Sequence, residues 1–288
     1  MSAWVSIDGV AVPAEQARIS VLDNGFILGD GVYDTLRTYG GRPFRLDLHL
    51  DRLRRSAARI GVDIPLSDQQ LAMRLDDVLA RAENAESYIR FIITRGIGDA
   101  TYHFEQVVGP TIVILIKPFE SPPAAFYDDG IPATIVSVRR NAADAADPAI
   151  KSCSLLNSVL AAREAQARGG IEAILLDARG NVAEGAASNV FAVRGDGLHT
   201  PPLDTGILAG IAREIVIDLA RESATPVREE PLAPESLRAA DEAFLTSSIR
   251  EVMPISSIDG EKVGTGRPGP VTKRLLGALQ DYARRHSR

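Results

Sequence analysis

A single cysteine, Cys153, in 288 residues leaves no pair for an internal disulfide. Four scattered histidines, without acidic residues at ligand spacing, exclude a recognisable metal motif. Long apolar runs are missing too. The greasiest stretch, TIVILI (111–116), suits a buried strand and falls far short of the roughly 20 residues that a bilayer requires. The opening MSAWVSIDGV has neither the basic nor the apolar region of a signal peptide, so no membrane association and a cytoplasmic setting are expected. Positive charge is not in excess: 32 basic against 38 acidic residues give a net charge of −6. That balance argues against a nucleic-acid surface and for a small-molecule partner. Lysine is scarce. Lys117, Lys151, Lys262 and Lys273 are the only ones, and the other basic residues are arginine.

The content that remains, 45% hydrophobic and 24% charged, is enough for ordinary cores and predicts two domains of α/β (α+β) character. WVSIDGVAVP reads as two strands around an Asp8-Gly9 turn, and VYDTLRTYGGRPFRL as a hairpin around Gly40-Gly41. Leu46, Leu50, Leu53, Ala57 and Ile60 recur at helical spacing and stop at Gly61; a second helix covers about 68–84. Two strands, SYIRFIITRG and PTIVILIKP, precede the proline-rich PFESPPAA. The boundary is placed there, giving a small domain over 1–117, a linker over 118–125 and a larger domain over 126–288. In the larger part IPATIVSVRR is a strand, 154–168 an amphipathic helix, and IEAILLD and SNVFAV strands joined across an Ala178 to Asn181 turn. A helix over about 207–223, strands PVREE, EAFLTSS and VMPISSID, and a last helix near 270–286 complete the pattern.

GDGVYD, residues 29–34, begins like a dinucleotide fingerprint, but the third glycine would fall at Asp34 and a strand follows where a helix is needed. No P-loop, G-x-S-x-G elbow or paired-histidine zinc motif occurs. Lys151 stands out because it is placed after an expected strand ending in Ile150 and before an apolar helix, which could bury it. A free lysine is neutral in about one molecule in 2,500 at neutral pH, so a reactive one needs burial or a covalent partner. A lysine at a helix start that reaches to solvent is the plain alternative. Glu184 lies in AEGAASNVFAV, where Gly185, Ala186 and Ala187 leave room for something flat; it is either a turn glutamate or a carboxylate beside a ring nitrogen. Thr205, Gly206 and Gly210 in PPLDTGILAGIAREIV set up a helix start that suits phosphate or is simply capped. Thr246, Ser247 and Ser248 end a strand with three hydroxyls, a turn or a set of phosphate donors. Arg52 in HLDRLRRSAARIG flanks the apolar stripe, so its fork can turn inward, whereas Arg54, Arg55 and Arg59 read as the solvated face.

In sequence order and spacing, HLDRL, IKSCSLLNSVLA, AEGAASNVF, GILAGIAR and FLTSSIREVMPI resemble the fold-type IV pyridoxal-phosphate enzymes, the branched-chain and D-amino-acid aminotransferases. The resemblance runs from about residue 3 to 286 and includes GDGVYDTLRTYGGRPF. It implies a small N-terminal domain and a larger C-terminal one with pyridoxal 5'-phosphate in the cleft between them. Lys151 then matches the lysine that forms the internal aldimine and shuttles the proton. Arg52 matches the phosphate-binding arginine, Glu184 the partner of the pyridine nitrogen, and Leu208 the residue packed on the ring. Ile211 and Ala212 match the phosphate-binding amides and Ser248 the phosphate hydroxyl, with Ser188, Asn189 and Ser247 beside them. Ala212 stands where a threonine is usual, so one hydroxyl is lost. Tyr33, Arg37, Arg90, Tyr102 and His103 are the candidate substrate contacts. YDTLR looks like the branched-chain pattern, while the lysine region reads closer to the D-specific enzymes. Their carboxylate trap after T-R-G is replaced here by Ala100 and Tyr102, with His103 one place on. The implied activity is ping-pong transfer of an amino group from an L-branched-chain amino acid, a D-amino acid or an (R)-primary amine to a 2-oxo acid, by a homodimer. The rival within the family is 4-amino-4-deoxychorismate lyase, which uses the same cofactor and lysine to eliminate pyruvate. A non-catalytic α/β binding protein is the rival outside it.

Overall fold

The computed structural model describes residues 2–99, 101–103, 107–142 and 144–287. The chain divides into two compact units. The first comprises Met1–Glu120, Ile150–Ser154 and Ala283–Arg288; the second comprises Ser121–Ala149 and Leu155–Tyr282.

In the first unit the elements are β1 (Trp4–Ile7), β2 (Val10–Pro13), α1 (Asn24–Ile27), β3 (Gly31–Tyr39), β4 (Arg42–Pro43), α2 (Leu46–Arg59), α3 (Asp68–Ala82), β5 (Ser87–Thr94) and β6 (Ile112–Pro118). The strands form one antiparallel sheet in the order β2-β1-β6-β5-β3-β4. Each strand alternates, so one face of the sheet is apolar, and α2 and α3 cover it. The helical stripe read from the sequence does this work: Leu50, Leu53 and Ala57 are buried against Val32, Leu36, Ile89 and Phe91. At the start of α3, Ser67 and Gln70 cap each other's backbone N–H groups, satisfying two donors that the helix leaves over.

The second unit holds α4 (Ala124–Asp128), β7 (Ile131–Arg139), α5 (Leu156–Ala167), β8 (Glu172–Leu176), β9 (Val182–Gly185), β10 (Asn189–Arg194), β11 (Gly197–Thr200), α6 (Ile211–Glu222), β12 (Val227–Glu229), α7 (Pro234–Arg238), β13 (Glu242–Ser247), β14 (Glu251–Ile258), β15 (Glu261–Lys262) and α8 (Pro270–Arg285), whose end from Ala283 is counted with the first unit. Its sheet runs β12-β11-β10-β13-β14-β7-β8-β9, with β15 on β14. Neighbours β11/β12, β14/β7 and β7/β8 are parallel, so the sheet is mixed.

Four local expectations change. IEAILLD pairs across the Ala178–Asn181 turn with β9 and not with SNVFAV, because Ile174 faces Gly185. Glu184 therefore sits inside a strand, not in a loop. The helix expected from 207 begins at Ile211, because Gly206 has φ +80° and Gly210 is still extended. No strand ends at Ile150; β7 stops at Arg139. Finally, α5 carries no apolar stripe toward its sheet. It buries Ala161 and Ala165, whose small size allows close approach to Val136, Ala173 and Leu175, and leaves Leu156, Val159 and Leu160 exposed.

Candidate active site

In the first unit the segment around Lys151 is stitched to β3 by its backbone. Lys151 accepts from the Tyr33 N–H (2.9 Å), Ser152 bridges Val32, and the Cys153 N–H donates to the Gly31 carbonyl (2.8 Å). This gives the GDG glycines a physical reason unconnected with nucleotides. A Cβ on Gly31 would lie 2.8 Å from the Ile93 carbonyl and 3.4 Å from Cys153 Sγ, and Gly29, beside Ser154, has φ +69°, which favours glycine. The Lys151 N–H donates to Ser56 Oγ on α2 (3.2 Å).

The Lys151 ammonium lies 4.6 Å from the centre of the Tyr33 ring, and the Arg90 guanidinium lies 4.7 Å from the same ring. Two cations thus share one aromatic surface, each drawn to its quadrupole. Arg90 also donates to Thr35 Oγ1 (3.1 Å) and approaches Tyr88, so β3 and β5 build this corner together. Burial, partly offset by Arg90, pushes the Tyr33 hydroxyl upward, so it stays protonated through neutral pH. Arg37 projects from the same face of β3 but stacks on Phe119 (3.6 Å) and Tyr39 (4.3 Å). Tyr102 is 79% exposed and His103 is exposed; Ala100 lies outside the described residues. Burial pushes the Cys153 thiol up to about 11, which keeps it neutral and packed.

On the opposite face of β3, Asp34 is fully buried. Arg52 Nε donates to its Oδ2 and Nη2 to its Oδ1, both at 2.8 Å, and His49 Nδ1 lies 2.7 Å from Oδ1. Burial alone would raise the Asp34 carboxyl, but Arg52 and His49 together hold it far below the usual carboxylate range. For His49, burial outweighs the pull of Asp34 and lowers its value, so the ring is neutral with Nδ1–H facing the carboxylate. Its Nε2 is buried without a hydrogen-bond partner. Arg52 has therefore turned inward, and Asp34 grips the Nε/Nη2 edge of its fork.

In the second unit Glu184 is 5% exposed. Its Oε2 accepts from the Leu208 N–H (3.0 Å) and from Asn189 Nδ2 (3.4 Å), while Oε1 lies 2.7 Å from Arg140 Nε. Asn189 Nδ2 donates to the Leu208 carbonyl as well (3.0 Å), which fixes the approach to α6. Gly210 precedes that helix, and any side chain there would collide with Asn189 Oδ1. No side chain caps α6, so the N–H groups of its first residues, Ile211 and Ala212, stay available for an anion. Thr246 faces Asn189 across the β10/β13 ladder, and its hydroxyl is buried without a partner. Ser247 Oγ accepts from the Arg250 N–H (3.0 Å), and Ser248 is partly buried. Ser188 donates to Glu172, which also takes the Ala186 N–H and pairs with Arg250, so one buried carboxylate shapes the 185–188 loop.

The structure thus gathers Lys151, Tyr33 and Arg90 at one corner of the first unit and Glu184, Asn189, Leu208 and the α6 start at one place in the second. It leaves Tyr102 and His103 outside either group. Asp34, His49, Arg140 and Glu172 were not singled out from sequence, whereas Thr246 was, as one of three hydroxyls at a strand end. Asp34 carried a signal: a charge between Val32 and Leu36 on the apolar face of a strand demands a buried partner. Arg140 carried none.

Residues 31–258 match the family model for amino-transferase class IV. The chain is 39% identical over 277 residues to a Methanocaldococcus jannaschii protein with a provisional branched-chain-amino-acid aminotransferase name, covering 96% of this chain and 95% of that one. It is 33% identical over 277 residues to the D-alanine aminotransferase of Bacillus licheniformis, covering 96% of both. Among solved structures, the branched-chain amino acid aminotransferase of Escherichia coli superposes with a TM-score of 0.92 at 32% identity, covering 100% of this chain and 97% of that one.

Proposed function

Since the chain belongs to the class IV aminotransferases, enzymes that depend on pyridoxal 5'-phosphate, we propose that it moves an amino group from a branched-chain L-amino acid or a D-amino acid to a 2-oxo acid in two half-reactions, with Lys151 as the reactive amine. The observation that carries the role of Lys151 is its setting: a backbone tied to β3 and an ammonium over the Tyr33 ring that Arg90 shares. The described residues also fit the cofactor. The uncapped start of α6, the buried unpaired Thr246 hydroxyl and the bare Gly210 suit a phosphate, and Glu184 suits a ring nitrogen.

Bound pyridoxal phosphate supplies an aldehyde for the amino group and a ring that accepts the electrons left at Cα. Lys151 Nζ is the amine that would hold the cofactor and, once released from it, would serve as the base for the proton at the donor's Cα. Arg52 binds phosphate, and Asp34 fixes the direction in which its fork points. The Ile211 and Ala212 N–H groups and the Ser247 and Ser248 hydroxyls bind the same group, aided by the helix dipole. Ala212 brings no hydroxyl, which costs about 1 kcal/mol on the scale of one hydrogen bond. Glu184 would keep a proton on the ring nitrogen and Leu208 would pack on the ring; Asn189 holds Glu184 and Leu208 in place, and Ser188 shapes the adjoining loop through Glu172.

For the donor's carboxylate Arg90 is favoured over Arg37, because Arg90 shares the Tyr33 ring with Lys151 whereas Arg37 is stacked on Phe119. Tyr102 and His103 complete the proposed substrate set from their exposed loop, and (R)-primary amines are the further donor class. A cytoplasmic homodimer is the proposed working form. Its support is a run of exposed apolar side chains, Ile19, Val21, Leu22, Phe26 and Ile27, between which Asp23 and Asn24 are buried and bonded.

The test is to incubate cofactor-loaded enzyme with one amino donor and no acceptor. L-branched-chain amino acids, D-alanine and an (R)-arylalkylamine are compared, and 2-oxoglutarate or pyruvate is added afterwards. Loss of the visible cofactor band with donor, and its return with acceptor, is expected. A band that no donor discharges, with pyruvate released from aminodeoxychorismate, would assign the chain to the lyase instead.

A further inference from the structure

Arg140, just past the end of β7, belongs to none of the motifs above, yet its guanidinium is in contact with Glu184. Its side chain is 16% exposed and that of Glu184 is 6%. Nε lies 2.7 Å from Oε1, but its N–H is not aimed at any acceptor, so the contact is an ion pair and not a linear hydrogen bond. Asn157 on α5 holds the guanidinium from the other side. Asn157 Oδ1 accepts from Arg140 Nη1 (3.3 Å), and Asn157 Nδ2 donates to the Arg139 carbonyl (2.8 Å). The Arg140 N–H is bonded to the Leu176 carbonyl (2.9 Å), which fixes the backbone as well. A guanidinium held from two directions beside a buried carboxylate, without a hydrogen bond to it, acts on that carboxylate mainly through charge.

We propose that Arg140 is a positioning residue that decides where the proton shared by Glu184 and the pyridine nitrogen resides. This rests on the reading that Glu184 serves that nitrogen. In a buried place two arrangements compete: a protonated nitrogen beside a carboxylate, and a neutral nitrogen beside a carboxylic acid. Burial favours the neutral pair, since separated charges lose hydration. Arg140 touches Glu184 directly, so its charge stabilises the carboxylate more than it disfavours the protonated ring. An opposite charge in contact with a buried carboxylate favours its ionised form, which places the proton on the ring nitrogen. Only the arrangement with the proton on nitrogen makes the ring a strong electron acceptor, so Arg140 acts on the reaction without touching a reacting atom.

The experiment uses full-length enzyme loaded with pyridoxal phosphate labelled with 15N in the ring, without substrate, at neutral pH and saturating cofactor. The ring-nitrogen resonance reports directly whether that atom carries a proton. For the natural chain the protonated position is expected. Arg140→Met removes the charge and is expected to move the resonance toward the neutral-ring position; Arg140→Lys restores a charge and is expected to move it back. If the methionine variant does not fold, Arg140→Gln, which can still donate to Asn157, replaces it with the same expectation. A resonance unchanged in the uncharged variant overturns the role of Arg140. Glu184→Gln separates the two levels: a resonance that stays protonated in that variant overturns the reading of Glu184 itself, whatever Arg140 does.

Discussion

Replacing Arg52 by methionine isolates the buried cluster of Asp34, His49 and Arg52 in the first unit. Asp34 is fully buried and bound to two nitrogens of Arg52 at 2.8 Å, so the substitution leaves a carboxylate in the core with His49 and the Thr35 N–H as its remaining partners. Removing one partner of a buried ion pair costs about 3–5 kcal/mol; the two surviving hydrogen bonds place this case near the lower end, about 3 kcal/mol. At about 2–4 °C per kcal/mol for a domain of some 150–250 residues, the melting temperature of cofactor-free protein should fall by roughly 6–12 °C in calorimetry. The sign with pH is also fixed. In the natural chain the Asp34 value is lowered on folding, so its contribution is complete above the unfolded value of about 3.9 and is lost as pH falls toward the folded one. In Arg52→Met burial is no longer outweighed and the folded value rises above the unfolded one. The native form then binds the extra proton, and the deficit shrinks on acidification. Asp34→Asn combined with Arg52→Met removes the stranded charge and should recover most of the loss. A drop of under about 1 kcal/mol, or a double variant no more stable than the single, refutes the reasoning.

His49 should make the protein acid-sensitive earlier than its carboxylates do. Its folded value lies below the unfolded value of about 6.5, so the unfolded chain takes up the proton first and stability falls with pH below that point, at up to about 1.4 kcal/mol per pH unit; urea unfolding of His49→Asn should lose this slope. Gly210→Val places a side chain on Asn189 and should weaken cofactor binding at least tenfold, about 1.4 kcal/mol, in fluorescence titration, while Gly195→Ala at an open turn should not. Phe26→Asp puts a charge on the exposed apolar patch; if the proposed homodimer forms through it, light scattering should find dimers for the natural chain and monomers for the variant.

How much of this was legible depended on how local each signal was. The stripe Leu50, Leu53, Ala57 is written at helical spacing and appears as the buried face of α2. Arg52 beside that stripe was readable as turning inward, although Asp34, its grip, lies 18 residues earlier on another element. The order of five motifs singled out Lys151, while composition alone did no more than mark it as rare. The GDG pair looked like half of a phosphate loop because glycines report room and not what fills it; here the Lys151 segment does. The amphipathic helix expected over 154–168 leaves Leu156, Val159 and Leu160 exposed and turns its alanines inward, since a sheet covered at short distance favours small residues. Arg140 could not be found from sequence because its meaning depends on Glu184, 44 positions later, arriving on a strand paired two ladders away.

The most direct measurement of the central claim is chemical. The natural chain loaded with pyridoxal phosphate is treated with borohydride, which fixes any lysine-bound cofactor permanently, and the digested peptides are weighed. The account predicts a phosphopyridoxyl group on the peptide containing Lys151 and none on those containing Lys117, Lys262 or Lys273. A modified peptide elsewhere, or unmodified Lys151 in protein that has kept its cofactor, contradicts it.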